Sequence, residues 1–357
     1  MSLVFRYLGT QILTSFGLAL TALLLLFGIF DLIGELDAVR PDGYTTGRAF
    51  MYVLLGMVGR IQELLPIAAL VGAIFALARL AANSEFTVMR ASGLSTPRLI
   101  GYQALLGLLL GGTTLLVGEY LTPPAERLAQ QIKIRGTTGI VAQEFRSGLW
   151  AKDGRAFINI RQMRPDATLI DIRMYEFDDR FRLRLIRQAE SAAWTEAGAW
   201  ALRNVTETTV TETGTRITRR EIANWQSPIT PDLLSVLMVN PDRMALTTLY
   251  SYVNYLKANQ QQSTRYEIAL WNKLAFPLAA PVMLLLALPF AYRQPRNSKL
   301  GSRIMLGILI GLGFHLLNRV VGHVGLLNHW PPVLSALLPL LVFSAAALLT
   351  IWRIEQR

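Results

Sequence analysis

Ile12-Leu13-Thr14-Ser15-Phe16-Gly17-Leu18-Ala19-Leu20-Thr21-Ala22-Leu23-Leu24-Leu25-Leu26-Phe27-Gly28-Ile29-Phe30 carries no charge over its whole length. A bilayer crossing by a helix takes about 20 apolar residues, so this run reads as a membrane span that reaches to about Leu36. It exceeds the apolar core of a cleaved leader and no small-residue cleavage site follows it, so a retained anchor is expected. Five comparable runs lie further along. They are Met51–Leu80, broken by Arg60-Ile61-Gln62-Glu63 and Pro66; the uncharged stretch between Arg98 and Glu119; Leu274–Tyr292; Ile304–Leu326; and Pro332–Trp352. The composition agrees: of 357 residues 52% are hydrophobic and 17% charged, against about 25% charged in ordinary soluble domains. Mean hydropathy is +0.36.

Between the third and fourth runs the text changes character. From Ala142 to Trp225 it is charged, rich in Thr and alternating: Ala156, Ile158 and Ile160 interleave with Arg155, Asn159 and Arg161, and Phe181, Leu183 and Leu185 with Arg180, Arg182 and Arg184. A period of two predicts half-buried strands. Asp153-Gly154, Asp178-Asp179, Glu196-Ala197-Gly198 and Thr213-Gly214 punctuate them as turns. Several short strands at this spacing predict a small sandwich or jelly roll. Asp242 to Trp271 then reads as helix leading back to the membrane.

The net charge of +11 is mainly an insertion signal. Ten Lys and Arg lie in the short segments at one membrane face and only Arg40 and Arg48 at the other, which puts both termini in the cytoplasm and the strand-rich domain outside. Within residues 138–232, 14 basic and 13 acidic side chains balance, so that domain has no field for nucleic acid. With no cysteine and three histidines, thiolate chemistry is excluded and a His-based metal site is not expected. No Gly-Lys dipeptide, nucleophile elbow, His-Glu-x-x-His or Gly-x-Gly-x-x-Gly occurs. The residues describe a path or a machine part, not a catalyst.

Six spans with one β-rich outer domain after the third resemble the layout of the lipopolysaccharide export permeases, the LptF/LptG family. Asn83-Ser84-Glu85-Phe86-Thr87-Val88-Met89-Arg90-Ala91-Ser92-Gly93 is similar to that family's cytoplasmic coupling helix. Gly148-Leu149-Trp150-Ala151-Lys152-Asp153-Gly154, and Tyr266 with Trp271, Lys273 and Pro277 entering span four, resemble the LptG branch more than LptF. The resemblance implies an inner-membrane transporter of one LptF, one LptG and two LptB ATPase subunits, which use ATP and Mg; this chain itself takes no cofactor or metal. It also implies that lipopolysaccharide is lifted from the outer leaflet and passed to LptC and a periplasmic bridge. The expected division is 1–122 for spans one to three with the coupling helix at 83–93, 123–270 for a jelly-roll-like domain with helical connections, and 271–357 for spans four to six. The rival readings are the LptF sister, a mechanotransmitting partner of an ATPase that moves no lipid, and a lipid-modifying enzyme, against which the absent motifs weigh.

The resemblance gives Glu85, Phe86, Val88, Met89 and Arg90 the ATPase-coupling role. The residues alone read Glu85 as an acid in a first helical turn behind Ser84 or Asn83 as cap. Arg60 and Glu63 lie three apart inside span two, where a charge costs at least ~2.5 kcal/mol; they read as a mutual pair or as Arg60 facing an anionic lipid. Lys133 and Arg135 at headgroup height suit phosphates and carboxylates. Arg40, and Arg319 on one face of span five with His315 and His323, complete the candidate substrate contacts; the other readings of Arg319 are a pair with Asp31 or Glu35 of span one and a polar stripe packed inward. Asp31, Glu35 and Asp37 stand where the family carries bases; such acids attract an anionic lipid only through a bridging cation or a partner's base, and the residues single out neither. Trp150, Trp194, Trp200 and Trp225 are expected in the core of the β domain.

Overall fold

The computed structural model describes residues 3–39, 43–137, 148–164, 168–195, 198–211, 213–231, 234, 241–292 and 300–356. Among them are six helical segments long and apolar enough to cross a membrane: Leu3–Leu36, Thr46–Ala82, Thr96–Lys133, Thr264–Tyr292, Gly301–Leu327 and Pro332–Arg353. α1 (Leu3–Leu36) and α2 (Thr46–Ala82) are continuous. α3 (Glu85–Ala91) is a short helix between the second and third spans. Span three is α4 (Thr96–Leu116), a π-helical turn at Val117–Leu121, and α5 (Thr122–Thr137).

α2 is the axis of the bundle. In its apolar window 83% of residues are buried, against 6% in α1. A helix apolar all round is stable only when neighbours cover it on every side, and Leu70, Ala73, Ile74, Leu77 and Leu80 are enclosed in one cluster with residues of spans one, three, four, five and six. Leu18, Leu25, Leu26, Ile29 and Phe30 of α1 stay exposed, which suits a lipid-facing or partner-facing surface.

Span four is segmented by its prolines. α6 (Leu246–Ala258) leads to α7 (Thr264–Ala275), a 3-10 turn at Phe276–Leu278, α8 (Ala279–Ala287) and α9 (Pro289–Tyr292). Pro277 and Pro281 lack the N–H that an interior helical position donates. Their backbones lie against Gly107 and Gly111 of α4, where any Cβ would overlap Pro281 or the Pro277 carbonyl. Small residues four apart let two helices touch backbone to backbone. α10 (Leu300–Leu327) and α11 (Pro332–Glu355) close the bundle.

Between spans three and four stand β1 (Leu149–Asp153), β2 (Ala156–Met163), β3 (Leu169–Phe177), β4 (Leu183–Trp194), β5 (Trp200–Thr211) and β6 (Gly214–Trp225). They form one antiparallel sheet in consecutive order. The expected alternation holds in β2, where Ile158 and Ile160 are almost fully buried. Trp200 is fully buried, stacks with Trp225 and donates its Nε1–H to the Ile229 carbonyl at 2.7 Å.

Two expectations change. Trp150 is 53% exposed and stacks on Tyr175 across the sheet surface, outside the core. Phe181 belongs to a turn, not to the strand: it has φ 56 and is exposed. The cause is Asp178, whose carboxylate accepts the N–H groups of Arg180 and Arg182, both at 2.8 Å; this fold-back of an Asp onto its own backbone favours a turn over an extended strand. Those bonds hold the Asp178 carboxyl below the ordinary carboxylate range, the Arg182 N–H first.

Candidate functional site

Helix α3 is only seven residues long, too short to persist on its own, so its place is set by what holds it. Phe86 is 3% exposed and meets the Tyr292 ring edge-on at 5.1 Å. Arg90 lies over the same ring at 4.9 Å, and Met89 packs on the main core. Glu85 Oε2 accepts the Tyr7 hydroxyl at 2.6 Å and Oε1 the Asn83 amide at 3.1 Å. The Tyr7 bond first, and Asn83 second, hold the Glu85 carboxyl below its usual range. Ser84 adopts φ 59 and makes no side-chain cap bond, so neither it nor Asn83 caps the helix in the expected way. Phe86 and Met89 therefore face this chain, and Val88, 66% exposed, is the apolar residue turned outward.

Two of the expected bases, Arg60 and Lys133, have carboxylate partners inside the chain. Arg60 donates Nε and Nη2 to the two oxygens of Asp31 at 2.9 and 2.6 Å, and Nη1 to Glu63 at 3.2 Å. Lys133 Nζ lies 2.9 Å from Glu35 and 4.8 Å from the centre of the Tyr52 ring. Neither a bridging cation nor a partner's base is needed to answer Asp31 and Glu35. The signal in the sequence was their spacing of four on one helix face opposite bases at matching depth. Arg40 lies outside the described residues, and Arg135 stands in α5 with its side chain outside them.

Sequence reasoning missed two further bases. Arg243, in a 3-10 turn at Pro241–Arg243, binds Glu126 at 2.9 Å and lies 3.7 Å from Glu63. Burial works against the Arg243 charge, yet Glu126 and Glu63 raise its pKa on balance. One chain of charges thus runs Asp31–Arg60–Glu63–Arg243–Glu126, joining spans one and two to the outer connector. Lys273, 5% exposed, donates to the Gly118 carbonyl at 2.9 Å and to the Met244 carbonyl, with Glu119 3.6 Å away. Glu119 in turn accepts the Leu246 N–H at 2.7 Å. Lys273 thus reaches a carbonyl inside the π-helical turn of span three.

Beside these ties a cavity of about 580 Å³ lies between α2, the 3-10 turn, α7 and α10. Glu63, Asp242, Arg243, Arg265, Lys273 and Arg319 are its charged lining. Burial first, and Glu63 second, push the Asp242 carboxyl up, while Arg265 and Arg319 act in the opposite sense. Arg319 thus lines this cavity and does not pair with the acids of α1.

The family described as lipopolysaccharide export system permease LptF/LptG matches residues 6–353. The chain is 32% identical over 355 residues to lipopolysaccharide export system permease protein LptG of Escherichia coli, covering 99% of this chain and 98% of that one. It is 30% identical over 354 residues to the protein of the same name from Haemophilus influenzae, with the same coverage of each.

Proposed function

The chain belongs to the LptF/LptG family of lipopolysaccharide export system permeases, and from that membership we propose that it extracts lipopolysaccharide from the outer leaflet of the inner membrane. It is a multi-pass membrane permease subunit, and its similarity to two LptG proteins along almost its entire length favours the LptG role over LptF. That full-length match, with a β domain in the slot after span three, carries the reading.

In this reading two LptB subunits supply the force by hydrolysing ATP with Mg, an LptF subunit completes the lipid cavity, and LptC receives the cargo. Both termini are cytoplasmic and the sheet is periplasmic. Force enters at α3, where Glu85, Val88 and Arg90 face the ATPase, while Phe86 and Met89 anchor the helix to Tyr292 and the core. A push on α3 therefore reaches the start of α1 through Tyr7 and the end of span four through Tyr292. At the outer rim Lys133, Arg135, Arg40 and Arg60 meet the anionic headgroup. A phosphate in the headgroup competes there with Asp31 and Glu35, so substrate capture loosens the tie between α1 and its neighbours.

The test is co-purification and crosslinking. The tagged chain is expected to elute with an ATPase pair and a second six-span subunit, and a photo-reactive group at position 133 is expected to label lipopolysaccharide. Elution alone, with vigorous nucleotide hydrolysis by the isolated chain, would overturn the reading.

A further inference from the structure

Arg60 and Lys133 are committed to carboxylates within the chain, but the cavity beside α10 holds two arginines without an ion pair among the described residues. Arg243 is tied to Glu126 and Glu63, and Lys273 to two carbonyls. Arg265 and Arg319 have no carboxylate within ion-pair distance among the described residues, and both side chains are exposed. The lining holds four bases against two acids. Arg319 sits eight residues inside the outer end of span five, about 12 Å down the helix. A charge at that depth persists only where it faces protein or a wet cavity, and Arg319 faces this one. Arg265, in the first turn of α7, stands at headgroup height. Asn272 and Asn318 add neutral donors to the same walls.

We infer that this cavity, bounded by α2, α7 and α10 of one chain, is a subsite for a phosphate monoester on a lipid headgroup, held between Arg265 and Arg319. Guanidinium binds phosphate through paired, charge-assisted N–H bonds. A volume of about 580 Å³ lies in the range of roughly 300–1,000 Å³ that holds a ligand of moderate size, and its four basic side chains suit an anionic group. Arg265 meets the phosphate first and Arg319 receives it deeper, which gives a path inward from the headgroup layer. The inference rests on the permease reading and adds a place where phosphate itself is counted.

The complete transporter complex in lipid nanodiscs tests it, with glycolipid-stimulated ATP hydrolysis as readout. Arg265→Gln with Arg319→Gln should raise the half-saturating concentration of phosphorylated lipopolysaccharide by about tenfold or more, since each charged hydrogen bond carries roughly that weight. The same glycolipid stripped of its phosphates should show no shift, and Arg319→Lys should recover part of the loss. An unchanged value, or an equal shift for both glycolipids, overturns the subsite. Should the double variant not assemble, a photo-reactive residue replacing Leu326 in otherwise unaltered complex should label the phosphorylated glycolipid and not the stripped one; labelling both equally overturns it too. Inorganic phosphate that blocks stimulation at the same concentration in the double variant and the unaltered complex also overturns it. If the unaltered complex responds to no glycolipid, the permease reading itself falls.

Discussion

Replacing Lys273 with Met tests the joint at the top of spans three and four. Met keeps the length and apolar stem and removes the ammonium that serves the Gly118 and Met244 carbonyls and neighbours Glu119. Hydrogen bonds from a charged donor contribute about 1.5–3 kcal/mol each, so two give a gross loss of roughly 3–6 kcal/mol. Relief of the buried ammonium's desolvation offsets part of it, and Glu119 keeps the Leu246 N–H. The expected net loss is about 2–4 kcal/mol. With about 2.1 cal/mol/K of unfolding entropy per residue, a chain of 357 residues shifts by roughly 1.3 °C per kcal/mol, so the apparent melting temperature of the detergent-purified protein should drop by about 3–5 °C. Glu119→Gln alone should cost less, and the double variant should fall short of the sum, because the residues share one joint. A Lys273→Met protein that melts within about 1 °C of the original, or strict additivity with Glu119→Gln, would refute the argument.

Three further outcomes follow from the same geometry. Asp31→Asn removes the bidentate hold on Arg60; with both side chains about a quarter to a third exposed, the cost is about 1 kcal/mol, and spin-label distances between α1 and α2 should broaden, an unaltered distribution speaking against the tie. Gly107→Ala pushes a methyl into the backbone at Pro281 and should cost about 1–3 kcal/mol by overpacking, whereas Gly112→Ala, which meets open space, should be neutral; equal thermal shifts would contradict the close approach. The Glu85 carboxyl is held below its usual range by Tyr7 first and Asn83 second, so the anchor of α3 is complete above the ordinary carboxylate range and weakens only as pH falls through the lower folded value. Tyr7→Phe should therefore move the Glu85 titration upward, followed by isotope-edited infrared spectroscopy, and an unmoved midpoint would count against the bond.

The six spans were legible because about 20 apolar residues in a row have few other uses in a chain with this little charge. The strands of the sheet were legible from period two, and Ile158 and Ile160 lie where that period puts them. Phe181 misled because alternation carries no information on local side-chain competition, and Asp178 captures the backbone at that point. In the candidate site the Arg60–Glu63 pair was legible from its spacing of three and stands at 3.2 Å; the rest was legible only as residue types. Arg60, Lys133 and Arg319 are bases at the right depth, but whether each meets a carboxylate depends on helix rotation, which apolar runs do not encode. Arg243 and Lys273 act through a 3-10 turn and a π-turn. Such local departures arise from packing across the bundle and leave no period to read.

The order in which the ion pairs occur along the chain has a consequence for how the protein is made. Arg60 follows Asp31, Lys133 follows Glu35, Arg243 follows both Glu63 and Glu126, and Lys273 follows Gly118, Glu119 and Met244. Synthesis runs from the amino end, so each of these cations leaves the ribosome after an anion or carbonyl that will receive it. The nascent polypeptide thus never has to park one of these bases in oil while waiting for a neighbour still to be translated.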